Sequence, residues 1–183
     1  MRRSTMACGL LLAFAGLLTA TATGTSRAAH RSAASERAVA FYTSEIRRHR
    51  NTTWYWQRVT GAHLSPALGR PLAVQSPSQL RHVDAIWRRR EKAALRRAQN
   101  PPHRQAWLCI HRYEGSWTDA GEPYYGGLQM SLSFQHAYGG WLLRHKGTAD
   151  HWTPLEQIWT AEKARRAHGF FPWPNTARSC GLF

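Results

Sequence analysis

The positive charge of this chain is concentrated in one stretch, and that unevenness limits its folding more than any other feature. The chain has 183 residues and a formal net charge of +15. From His30 to Ala106 there are fifteen basic residues against four acidic ones. From Trp107 to Phe183 there are seven against six. Arginine and lysine are almost never fully buried, so the first stretch must keep much of its surface wet. The second stretch is nearly neutral and holds six of the nine tryptophans, Trp107, Trp117, Trp141, Trp152, Trp159 and Trp173. It has the material for a core. The expected architecture is α+β and mostly helical. A basic, partly helical arm over 29–106 precedes a small domain over 107–183.

The first 28 residues read as a signal peptide. Arg2 and Arg3 form a positive start, Cys8 to Ala22 an apolar run, and Ser26-Arg27-Ala28 a small-x-small cleavage site. The apolar run is interrupted by Thr19, Thr21 and Thr23 and falls short of the ~20 residues of a spanning helix. The expectation is therefore a secreted or wall-located protein with no stable membrane span after cleavage. Removing this segment leaves Cys109 and Cys180. An even pair in an exported chain reads as a disulfide. A polycationic arm binds polyanions by releasing their counterions. Outside the cell the expected polyanions are anionic wall polymers, and nucleic acid is not an expected partner.

Helix signals are local. His30 to Arg37 reads as a polar tether, and Ala38 to Arg50 as a weak helix. Gly61 to Gln75 carries Pro66, Gly69 and Pro71 and reads as loop. Ser76, Pro77 and Gln79 spell an N-cap, a first helical proline and a capping box, and Asn100-Pro101-Pro102 ends that helix. Pro102 opens the next, with Trp107, Ile110, His111 and Glu114 on one side. A short helix starts near Ser131 or Ser133 and stops at Gly139-Gly140. Thr153, Pro154 and Glu156 repeat the capping box, and Gly169 ends that helix. Trp54 and Trp56 read as packing between arm helices, with glycan contact as the other role open to them.

Glu114 is the acid with a chemical environment. It ends a helix, where the negative end of the dipole favours a neutral carboxyl, and its apolar neighbours act in the same direction by desolvation. A carboxylic acid that keeps its proton is what a glycosidic leaving oxygen requires. His111, one turn earlier, is placed to tune it. A glutamate on the surface has the same spacing, so position does not decide its role. Gly126 and Gly127 let backbone approach a bulky group or adopt positive φ, and Gln129 offers an amide to an acetamido or hydroxyl group. The ten histidines show no His-x-x-x-His spacing and there is no Cys-x-x-Cys. No metal site and no cofactor are expected.

The order of motifs is what decides. Glu114-Gly115-Ser116-Trp117, then Tyr124-Tyr125-Gly126-Gly127-Leu128-Gln129, then Trp173-Pro174 before Cys180-Gly181-Leu182 resembles the resuscitation-promoting-factor and transglycosylase-like domain of actinobacterial wall enzymes, a reduced relative of lysozyme. The resemblance covers Trp107 to Phe183. It implies a small lysozyme-like domain acting on peptidoglycan glycan strands, with Glu114 as the catalytic acid. It places Trp117, Tyr124, Tyr125, Gly126, Gly127, Gln129 and Trp173 at the substrate cleft, and pairs Cys109 with Cys180. Three features depart from the family pattern: Cys109 lies five residues before Glu114 instead of one, the step after the glutamate is shortened, and Ser131 to Ala149 differs from the usual sequence.

A two-carboxylate glycosidase needs a second acid ~5 to 9 Å away. Asp119, Glu122 and Asp150 are within range in sequence, and no motif singles one out. The resemblance favours a single-acid scheme in which the sugar's own N-acetyl or 6-hydroxyl group completes the displacement and leaves an anhydro product. Two other functions fit the sequence. One is a non-catalytic wall-binding or signalling protein with the same fold. The other is a cationic membrane-active or nucleic-acid-binding protein that uses Arg88 to Arg97.

Overall fold

A computed structural model describes residues 19–69 and 71–183. The opening of the expected signal segment, 1–18, lies outside the described residues. The fold is mostly helical with one two-stranded sheet. Helix α1 spans Thr19–Thr60, α2 Pro77–Gln99 and α3 Arg104–Glu114. Strands β1, Tyr124–Tyr125, and β2, Met130–Ser131, pair antiparallel with Tyr124 opposite Ser131. Helices α4, Leu132–Lys146, α5, Pro154–His168, and α6, Pro174–Ser179, complete the chain. No helix among the described residues is long and apolar enough to cross a membrane.

Both capping boxes form as the local signals predict. The Ser76 hydroxyl accepts from the Gln79 N–H, and the Thr153 hydroxyl from the Glu156 N–H. Pro77 and Pro154 stand in the first turns that follow. The expected tether and the expected helix end at Arg50 are both corrected: one helix runs through them. Alanines at 33, 34, 38 and 40 favour helix, and Ser32 reaches Glu36 one turn on. Thr52 and Thr53 return their hydroxyls to the carbonyls of Arg48 and His49, so they continue the helix instead of breaking it. Gly61, at φ 69°, ends it.

The expected stop at Gly139-Gly140 is also corrected. Gly139 departs from helical geometry, with φ −121° and ψ 15°, yet α4 continues to Lys146. A Cβ on Gly139 would lie 2.4 Å from the Trp152 ring. The glycine is there to admit a tryptophan, not to end a helix.

Arm and C-terminal part share one core. Val59 of α1 is buried with Trp107, Ile110, Leu128, Trp152 and Trp159, and Tyr55 and Trp56 pack against them. The Trp159 indole N–H donates 2.8 Å to the carbonyl of Ala98. The Tyr55 hydroxyl donates to buried Glu156, which also takes Lys146 at 2.8 Å. Burial pushes the Glu156 carboxyl up, against the Thr153 N–H that lowers it. A second core holds α1 to α2 through Ile46, Leu80 and Trp87. Trp54 meets Trp87 edge-on with ring centroids 5.7 Å apart. Trp54 therefore packs between the arm helices, whereas Trp56 packs against the core shared with the C-terminal part.

Cys109 on α3 and Cys180 after α6 form a disulfide across a sequence separation of 71. Cross-linking a loop of this length stabilises a fold by about 4 kcal/mol on the chain-entropy account. Cys180→Ser should show that loss as a lower denaturation midpoint. An equal midpoint with and without reductant would contradict it.

Candidate active site

The site is assembled at the C-terminal end of α3. Glu114 is its last residue, and Gly115 follows at φ 149°. Glu114 is half-buried, and its Oε1 accepts the Thr176 hydroxyl at 2.8 Å. Thr176 lies on α6, one turn before Cys180, whose N–H donates to the Thr176 carbonyl. The disulfide to Cys109 thus lays α6 along α3 and brings Thr176 to Glu114. The displaced cysteine still serves the site, from the preceding turn of α3. Sequence reasoning did not find Thr176. Its signal was the four-residue step back from the disulfide cysteine.

The loop after Glu114 is fixed by three residues. Asp119 Oδ1 accepts the Gly121 N–H at 3.1 Å, closing a turn. Asp119 Oδ2 accepts the Gln129 side-chain amide at 2.8 Å. The same Gln129 nitrogen donates to the Gly126 carbonyl at 3.1 Å. Gln129 therefore spends its amide N–H groups inside the protein. Its backbone is left-handed, with φ 48°, a conformation non-glycine residues hold only when the surroundings impose it. Buried Gln157 donates to the carbonyls of Trp117, Ala149 and Trp152 at 2.8–3.0 Å. It anchors the loop to α5.

The structure sorts the expected cleft residues into layers. Tyr124 is about half exposed, and Tyr113, next to Glu114, is more so. Trp117 is partly buried and stacks on His111 with ring centroids 3.9 Å apart. His111 Nδ1 donates to the Gly127 carbonyl at 3.1 Å, so it ties α3 to the hairpin. Tyr125 is buried and its hydroxyl donates to Glu122. Trp173 is 5% exposed and donates to the Leu128 carbonyl. Tyr125 and Trp173 form the floor beneath the hairpin, placed for support instead of contact with a ligand.

Gly126 and Gly127 are also buried. Their missing side chains admit protein groups. A Cβ on Gly126 would lie 2.5 Å from Gln157 Oε1, and one on Gly127 2.6 Å from His111 Nδ1 and 2.7 Å from the Trp117 ring. Gly126 is in the left-handed region as well, at φ 73°. Gly126→Ala should cost about 2 kcal/mol or more through overpacking and backbone strain. Thermal unfolding checks it, and an unchanged midpoint would refute the close packing of Gln157.

No protein-family model and no curated relative matches the chain. The functional reading therefore rests on the residues themselves.

The arm presents a second surface. Arg81, Arg88, Arg89, Lys92, Arg96 and Arg97 of α2 are exposed, as are Arg47 and Arg48 of α1. A cleft of about 670 Å³ is lined by Arg90, Arg96 and Arg97 with Gln57 and Asn100, and no acidic residue among the described ones lines it. Such a surface concentrates anions by field and by counterion release.

Proposed function

We propose that this chain is an exported peptidoglycan-cleaving enzyme. Glu114 protonates the glycosidic oxygen between N-acetylmuramic acid and N-acetylglucosamine, and the basic arm holds the enzyme on anionic wall polymers. The observation that carries this reading is the placement of Glu114. It is half-buried at the C-terminal end of a helix, with one oxygen fixed by the Thr176 hydroxyl at 2.8 Å. A general acid needs a fixed direction toward the leaving oxygen and limited access to water. Supporting it are the order of the Glu-Gly-Ser-Trp and Tyr-Tyr-Gly-Gly-Leu-Gln motifs and the exposed rings of Tyr113 and Tyr124. Flat aromatic faces suit the apolar faces of sugar rings.

Digestion of purified peptidoglycan by the full chain tests the proposal. The expected result is release of soluble muropeptides, identified by mass spectrometry as cut at that linkage. Co-sedimentation with the wall and no released fragment would replace the enzyme with a wall-binding protein.

A further inference from the structure

We propose that the cleft between the end of α1 and the last turns of α2 binds the phosphate groups of a phosphodiester polymer. This deepens the reading of the arm as the part that holds the wall, and rests on it. The cleft measures about 670 Å³, a size that suits small-ligand sites. Arg90, Arg96 and Arg97 of α2 supply its charge, and Gln57 of α1 and Ser65 of the loop after it also line it. That wall is fixed. The Gln57 amide donates to the Ser65 hydroxyl at 2.9 Å, and its oxygen accepts the Ser65 N–H at 2.9 Å.

The fold does not consume the three guanidinium groups. Arginines near a helix C-terminus often serve its free carbonyls, but here those carbonyls have other donors. The Asn100 side-chain amide donates to the Arg96 carbonyl at 2.7 Å, and its backbone N–H to the Arg97 carbonyl at 3.1 Å. The Trp159 indole takes the Ala98 carbonyl. The two acids of α2 are engaged elsewhere, Asp84 with Arg88 at 3.3 Å and Glu91 with His49 at 2.5 Å. Among the described residues none of Arg90, Arg96 and Arg97 forms an ion pair. Two of the three are already oriented. Arg90 donates to the Pro66 carbonyl at 3.0 Å and lies 4.8 Å from the Trp87 ring centroid. Arg97 lies 5.7 Å from the Trp159 ring centroid. Groups held in place before a ligand arrives lower the cost of binding it.

The lining selects the ligand. Guanidinium forks match phosphate oxygens with paired N–H donors. Three such charges with no acid beside them suit successive phosphates better than a single carboxylate. The apolar lining is limited to Ala62, Ala93 and Ala94, so no large side chain is offered to a bilayer. No aromatic residue lines the cleft, and Trp87 and Trp159 are each 1% exposed. A nucleic-acid base has no ring to stack on. The occupant is a chain of phosphates joined by small uncharged units.

The test titrates the full chain with poly(glycerol phosphate) at fixed ionic strength and follows binding by calorimetry. Arg96→Lys with Arg97→Lys keeps the net charge and removes the forks, and should weaken binding about fivefold or more. Arg96→Gln with Arg97→Gln should weaken it about tenfold or more and reduce the salt slope by about 2. Arg81→Gln with Arg89→Gln removes the same charge outside the cleft and should weaken it about twofold at most. Polyglutamate of equal charge should bind about tenfold less tightly than the phosphate polymer. Equal losses from the two glutamine pairs would overturn the inference, as would an unchanged lysine pair with the wild-type melting midpoint. So would polyglutamate, phosphatidylglycerol vesicles or single-stranded DNA bound as tightly as the phosphate polymer. A wild-type chain that binds neither this polymer nor purified wall would sink the reading of the arm itself. Wall binding by wild type that the cleft variants fully retain would sink only the cleft.

Discussion

Glu114→Gln should lower the rate of wall cleavage by about 10²- to 10⁴-fold while leaving the fold intact. The amide has nearly the same shape as the acid. Its carbonyl oxygen can accept the Thr176 hydroxyl, which meets Oε1 at 2.8 Å in the wild type, so α6 stays in place. What is lost is the proton. The effect should therefore fall on kcat, with binding to the wall, measured by sedimentation, unchanged. Thr176→Val separates position from proton supply. It removes the donor and keeps the acid, so a smaller fall in kcat is expected, with residual cleavage that Glu114→Gln lacks. Equal wall clearance by wild type and Glu114→Gln would remove Glu114 from the chemistry.

The parts of the fold that were legible in the sequence are those written in a few adjacent residues. Ser76-Pro77-Gln79 and Thr153-Pro154-Glu156 specify their helix starts because the cap, the proline and the returning side chain all lie within one turn. Cys109 and Cys180 were legible for another reason: with Cys8 set aside in the expected signal segment, the two remaining cysteines allow one pairing. Residues with distant partners were misread. Gly139 looks like a stop, yet it answers to Trp152 across the core. Glu156 announces a cap, and its second role as the buried partner of Tyr55 and Lys146 is written far away on α1 and α4. At the site, Glu114 could be chosen from its helix and its motif. Thr176, 62 residues downstream, could not, because its hydroxyl finds Glu114 only after the disulfide has placed α6. The Gly126-Gly127 pair was recognised as a place of close approach. That the approaching groups are Gln157, His111 and Trp117 became visible only with the tertiary packing.

The largest stability effect is expected at Glu162, which sequence inspection passes over as one more helical acid. It is fully buried on α5. Its carboxylate accepts the Trp107 indole N–H at 2.8 Å and the His103 backbone N–H at 3.1 Å. His103 Nδ1 at 3.0 Å and Arg165 Nε at 3.3 Å complete the set. This cluster fastens the start of α3 to α5, and so fixes the helix that ends in Glu114. Burial pushes the carboxyl up, but the donors from Trp107, His103 and Arg165 outweigh it, and the net direction is below the ordinary value of 4.5. Glu162→Gln removes the charge from a site built of donors, and with the amide oxygen kept toward Trp107 and His103 its NH2 faces the Arg165 Nε that now meets Oε2. A loss of about 3 kcal/mol is expected near neutral pH, at the lower end for breaking a buried ionic cluster because His103 and Arg165 retain some access to water. The pH dependence has a definite sign. A carboxyl whose folded value is depressed contributes fully above its unfolded value of 4.5 and loses that contribution as pH falls through the folded value. The gap in unfolding free energy between wild type and Glu162→Gln should therefore be widest near pH 7 and narrow progressively as pH falls below 4.5. Urea denaturation at pH 7 and at a series of pH values below 4.5 measures it. A gap that stays constant across that range would mean that the carboxylate's charge is not what holds α3 to α5.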